Sequence, residues 1–161
     1  MAEPTDDTLL SLEHDHAELH RSVVELGSLA RALRAGQGSV DDARAQLIDL
    51  VAVLSEDLFG HFSREEEVLF PYVQAAVPEL SGEVQALVTG HDAVCGALAR
   101  LARLAQSDAV ASQISLVCAA ADRVAEGYTA HARDERALLS SLATRLTPAQ
   151  RAELTERARG L

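Results

Sequence analysis

The sequence predicts an all-α fold: an up-down-up-down antiparallel four-helix bundle closed by a short C-terminal helix. Three observations carry this. Four stretches repeat apolar residues at steps of three and four, the alternation that keeps one stripe of a helix against a partner. The breaks between them are short and hold glycine, proline and serine, so consecutive long helices become antiparallel neighbours. The 161 residues are 48% hydrophobic but only 3% aromatic, with no tryptophan, a composition suited to aliphatic helix faces.

The first helix carries Leu12, His16, Leu19, Val23, Leu26, Ala30 and Leu33 on one seam, and Gly36-Gln37-Gly38-Ser39 ends it. The second carries Leu47, Val51, Leu54, Leu58, His61, Glu65, Val68, Tyr72 and Ala75; Pro78 and Ser81-Gly82 separate it from the third. The third seam is Val84, Leu87, His91, Val94, Leu98, Leu101 and Ala105. Ser107-Asp108 is placed to cap the fourth helix. Its seam is Ile114, Val117, Ala121, Val124, Tyr128, His131, Glu135, Leu138 and Leu142. Thr147-Pro148-Ala149-Gln150 reads as a capping box with proline at the first helical position, starting a helix over 148–159. Residues 1–161 are expected to form one domain with the bundle over 8–142.

The formal charge is −11. That argues against nucleic acid, whose binding draws on Lys/Arg clusters, and against an anionic membrane surface. No apolar run approaches the roughly 18 residues of a membrane span. The first residues lack the basic start and apolar run of a signal peptide, so a cytoplasmic protein is expected. Cys95 and Cys118 are then expected to be reduced thiols.

Six polar residues interrupt the apolar seams: His16, His61, Glu65, His91, His131 and Glu135. Burying imidazoles and carboxylates is costly unless a partner compensates, and a metal is a common one. In His-x-x-x-Glu both side chains share a helix face, close enough to bind one ion or to bridge two. The pattern occurs at His61/Glu65 and His131/Glu135 on seams, and at His14/Glu18 off the seam, on a face expected to be solvated. A lone seam histidine is more often a hydrogen-bonded core residue; six such residues together point to a metal centre. A weak internal repeat supports a two-metal arrangement. Each half of the chain is a helix with one histidine followed by a helix with His-x-x-x-Glu, so a pseudo-twofold would bring two equivalent ligand sets together. The heights of these residues along the bundle match across the first two turns but less well across the third, where either non-helical residues intervene or the fourth helix overhangs. Imidazole and carboxylate without cysteine pairs disfavour structural zinc and calcium, and suit a pair of iron or manganese ions.

These stretches resemble the hemerythrin family in its HHE cation-binding form. The resemblance rests on Asp15-His16-x-x-Leu19-His20, His61-Phe-Ser-Arg-Glu65-Glu66-Glu-Val-Leu69-Phe70-Pro71, Gly90-His91-Asp92 and His131-Ala-Arg-Asp-Glu135, over roughly residues 8 to 142. It implies two iron ions joined by an oxo or hydroxo bridge, with manganese as the second choice. Carried over, His16, His61, His91 and His131 are terminal ligands and Glu65 and Glu135 bridge. Where oxygen carriers of the family have a further histidine four residues after the third-helix one, this chain has Cys95. With about six positions per iron, about two then stay open. Tyr128, His20 and Cys95 are candidates to fill one, each set against a plainer role as core tyrosine, flank residue and small buried filler. Glu66 and Glu67 read as solvent-facing or supporting residues, and Asp92 or Asp134 as partners that orient an imidazole. Phe62, Leu69 and Phe70 are expected to wall the centre from water, with Gly90 and Gly127 giving room for close packing.

Open coordination favours exchange of small ligands. The expected function is therefore binding, sensing or reaction with dioxygen, peroxide or nitric oxide, catalase-like peroxide breakdown being one form. The competing readings are iron storage, delivery or iron–sulfur repair without turnover, and a metal-free interaction module. Turnover, not sequence, separates enzyme from carrier. Monomer and homodimer both fit, with Ala119-Ala120-Ala121 and the C-terminal helix as the faces to watch.

Overall fold

The structure is a computed structural model describing the backbone of residues 7–159 and the side chains of residues 16–158. Among the described residues, all regular secondary structure is helical. The helices are α1 (Asp7–Arg34), α2 (Val40–Arg64), α3 (Phe70–Ala76), α4 (Ser81–Gln106), α5 (Ile114–Arg145) and α6 (Pro148–Arg159). A π-helical turn, Glu65–Leu69, joins α2 to α3, and 3-10 turns at Pro78–Leu80 and Val110–Ser112 precede α4 and α5.

The local chemistry of the turns matches these boundaries. Gly36, at φ 66°, supplies the left-handed residue after α1. The amides of Gly36 and Gln37 then turn back to the carbonyls of Leu33 and Ala32 at 3.1 and 2.9 Å, closing the helix end. Ser39 caps α2 by accepting from the amide of Asp42. The box at α6 is reciprocal: the Thr147 amide donates to the Gln150 side chain at 2.9 Å, and the Gln150 amide to the Thr147 hydroxyl at 3.3 Å.

The four long helices close a ring, α1 packing on α2 and α5, and α4 packing on the same two. Cys118, early in α5, donates to the carbonyl of Ala30 late in α1, while Tyr128 further along donates to that of His16 near the start. These two helices therefore run antiparallel. Arg44 at the start of α2 binds the carbonyls of Ala105 and Gln106 at the end of α4, and Glu66 just beyond α2 meets His91, so this pair is antiparallel as well.

The seams are buried as predicted from Leu19 to Leu33, Leu47 to Glu65, Val84 to Ala105 and Val117 to Leu142. Leu12, the off-seam His14 and Asp15 lie outside the described side chains. Two expectations need correction. Ser107 does not cap α5; its hydroxyl accepts from the Ala109 amide, and residues 107–113 stay outside the long helices. That interval removes the mismatch of heights: His91 lies about 15 residues before the end of α4 and His131 about 17 after the start of α5. The second seam also loses register after Glu65. Val68 is only half-buried and Ala75 exposed, while Leu69, Phe70 and Val73 are buried. The π turn inserts one residue, so the buried face beyond it shifts to Leu69, Phe70 and Val73, with Tyr72 still buried.

The buried residues divide into two apolar clusters. One runs from Leu19 to Leu58 and Phe62, and from Val94 to Tyr128. The other joins Leu69 to Leu87 with Leu138, Leu142, Leu146 and Leu154. Along α4 and α5 the buried polar residues fall between these clusters in sequence, and His61 and Glu65 flank Phe62, where the first cluster ends on that side. Ala120 and Ala121 face inward, as does Leu154 of α6, whereas Ala119 is exposed.

Candidate metal centre

All six candidate ligands meet in this polar layer. α1 supplies His16, α2 His61, the π turn Glu65, α4 His91, and α5 both His131 and Glu135. Every imidazole presents Nε2 to a carboxylate. Glu135 Oε2 contacts His16 and lies 3.4 Å from His131 and 3.7 Å from His61. Glu65 lies 2.9 Å from His91 and 3.6 Å from both His61 and His131. Each carboxylate therefore reaches histidines from three helices.

The ligand atoms fall into two groups that can each hold a cation: His16, His61, His131 and Glu135, and Glu65, His91 and His131. His131 belongs to both. The division is not the equal one the internal repeat predicts, because Glu135 works with its own helix and the first two, while Glu65 turns to α4 and α5.

Glu65 and Glu135 are 0% exposed, and both oxygens of each lie buried without a well-formed hydrogen bond, as do His16 Nε2, His91 Nε2 and both ring nitrogens of His131. An interior that leaves this many acceptors unsatisfied is costly unless cations occupy it. Burial, the Glu135 charge and contact with Glu135 push Glu65 up to about 11. Burial acts in the same sense on Glu135, but the imidazoles of His131, His16 and His61 and the Glu65 carboxyl outweigh it and hold Glu135 far below its ordinary range. The two carboxyls thus share one proton in the metal-free layer. The donor set fits hard-to-borderline cations with mixed nitrogen and oxygen ligation.

His91 is the best-supported member. Its Nδ1 donates to Glu66 Oε1 at 2.6 Å while Nε2 faces Glu65. Phe62 stacks on the ring at 3.8 Å and 11°, and Phe70 packs at 5.6 Å and 22°. Burial, which outweighs the pull of the Glu66 carboxylate, brings His91 down to about 4, so its ring is neutral and can ligate.

A family model for the hemerythrin HHE cation-binding domain matches residues 9–143. The chain belongs to the hemerythrin family. No curated protein matches it at a significant level. In this hemerythrin domain the His-x-x-x-Glu motifs of the second and last bundle helices sit inside the buried layer, so the resemblance and the geometry meet on the same residues.

The supporting residues are partly other than expected. Tyr128 is a core tyrosine whose hydroxyl donates to the His16 carbonyl at 3.1 Å, and burial followed by the Glu135 charge pushes it up to about 12. His20 is exposed. Cys95 is half-buried and, like Cys118, a free thiol, raised by burial and then by the Asp92 and Glu66 charges. Neither His20 nor Cys95 joins the two groups. Asp134 pairs with Arg133 at 2.8 Å and Asp92 is exposed; Glu66 is the carboxylate that contacts a candidate ligand imidazole. The Glu65-Glu66 doublet was its only signal in the sequence. Of the two glycines, only Gly127 is at a close approach, a Cβ there lying 2.9 Å from Val94 Cγ2; at Gly90 there is open space.

Proposed function

We propose that this chain is a single-domain, up-down-up-down bundle holding two iron ions, which binds, senses or reacts with dioxygen, peroxide or nitric oxide. The observation that carries the proposal is the pair of ligand groups joined at His131 within one buried layer. His16, His61, His91 and His131 act as terminal ligands and Glu65 and Glu135 as bridges, since each carboxylate reaches histidines of three helices. Two adjacent irons, when bound, supply paired one-electron steps, as conversion of two peroxide molecules to dioxygen and two waters requires.

The protein's own contribution is positioning and exclusion of water. Phe62 and Phe70 cover His91, and the apolar clusters flank the layer on either side. Neither His20 nor Cys95 joins the cluster, and the Tyr128 hydroxyl is engaged by the His16 carbonyl, which supports coordination left open for a small ligand. Two reduced thiols are in keeping with a cytoplasmic setting.

Metal analysis by mass spectrometry and the ultraviolet–visible spectrum of protein expressed with iron test the proposal. About two irons per chain with near-ultraviolet oxo-to-iron bands are expected. One zinc, or no metal, overturns the di-iron reading. Iron-loaded protein that evolves no oxygen from peroxide and shows no spectral change with peroxide, dioxygen or nitric oxide overturns the oxidant reading.

A further inference from the structure

The π turn brings consecutive carboxylates to opposite nitrogens of one ring. Glu65 Oε2 lies 2.9 Å from His91 Nε2, and Glu66 Oε1 lies 2.6 Å from Nδ1. Glu65 is fully buried, whereas Glu66 sits at the rim with 44% of its side chain exposed. Phe62 and Phe70 fix the plane of the His91 ring. They do not determine which nitrogen carries the proton, and a neutral imidazole can ligate only through the nitrogen that lacks it.

We infer that Glu66 is a positioning residue for a metal ion in the Glu65–His91–His131 group, because it accepts the Nδ1–H hydrogen bond and thereby fixes the tautomer whose Nε2 lone pair faces the cluster. The inference rests on the two-metal reading. Without Glu66 the ring is free to carry its proton on Nε2, aimed at Glu65, and ligation then requires a tautomer change first. The effect belongs to one group of the two, since His91 is absent from the group built around Glu135. Such carboxylate partners of ligand histidines typically change metal affinity by about 10- to 100-fold.

The test uses the full chain. Long-range proton–nitrogen NMR of the metal-free protein reads the His91 tautomer, and titration with iron(II) reads stepwise uptake. In the wild type, Nδ1 of His91 is expected to carry the proton. Glu66→Ala should lose that preference and bind one of its two irons about 10- to 100-fold more weakly, with the other unchanged. Glu66→Gln keeps an acceptor oxygen and should recover most of the affinity. Glu67→Ala removes the same charge one residue away and should leave both readouts as in the wild type. Glu66→Met, of similar length without an acceptor, makes the same measurement should the alanine variant melt early. A Glu66→Ala protein that keeps the Nδ1–H form and binds both irons like the wild type overturns the inference alone. A wild type that takes up no iron overturns the two-metal reading and the inference with it.

Discussion

His131 stands apart among the six polar residues, since it is the one shared by both ligand groups. His131→Ala should therefore lower iron content from about two per chain toward zero, while His16→Ala should leave about one. Metal analysis of the two purified variants checks this, and equal losses would contradict the shared role. The carboxylates give a second prediction. Glu65 keeps its proton through neutral pH in the metal-free protein because its value in the fold lies above its ordinary one, whereas Glu135 is already ionised. A cation that binds Glu65 must displace that proton, so uptake should strengthen as pH rises from about 6 to about 8, with about one proton released per chain. Calorimetry in buffers of different ionisation enthalpy measures the release; affinity independent of pH would refute the shared proton. At this scale the sequence was informative where side chains alternate with apolar neighbours. All six candidate ligands were legible because each replaces an aliphatic residue on a seam. The supporting role of Glu66 was legible only as one of two readings, because a carboxylate at the rim of a helix has the same sequence signature as a solvated one.

Long helices were legible from their period, and the π turn was not. A step rule of three and four assumes an unbroken helix, so Val68, Tyr72 and Ala75 were expected in line, and only Tyr72 is fully buried. The adjacent apolar pair Leu69-Phe70, both buried, was the available trace of the insertion, since a regular seam needs only one residue there. The start of α5 was missed for a related reason: a cap-like Ser-Asp pair also serves a turn, and Ser107 is used for one. Helix contacts give a sharper forecast at the two glycines. A Cβ at Gly127 on α5 would press on Val94, a stiff and fully buried side chain of α4, so Gly127→Ala should cost about 1–3 kcal/mol despite alanine's better helix propensity. Gly90→Ala meets open space and should gain about 0.5–1 kcal/mol. Denaturant melts of the metal-free variants compare them directly, and a gain for both would show that propensity, not packing, governs these positions.

Across the whole molecule, the arrangement is a polar layer between two apolar clusters, and the layer draws on all four long helices. The apolar clusters stabilise the bundle whether or not a cation is present. The layer behaves otherwise, because the oxygens of Glu65 and Glu135, Nε2 of His16 and of His91, and both ring nitrogens of His131 have left water without gaining well-formed hydrogen bonds in return. Metal ions bound to the folded chain alone would stabilise it by mass action, by about 2.7 kcal/mol at a hundredfold excess over the dissociation constant. For a chain of this size that corresponds to roughly 5–10 °C in melting temperature. Chelation should therefore lower the melting temperature by this order, and hydrogen exchange should quicken first around His61–Leu69, His91 and His131–Glu135, with the Leu47–Leu54 stretch of α2 protected longer. Leu154→Ala provides the contrast. It empties a site in the second cluster, costs about 2–5 kcal/mol, and should do so with or without iron, because no ligand lies on α6. If chelation instead left both the melting temperature and the exchange pattern unchanged, the polar layer would be satisfied by the protein alone, and its six residues would need a structural explanation in place of a metal.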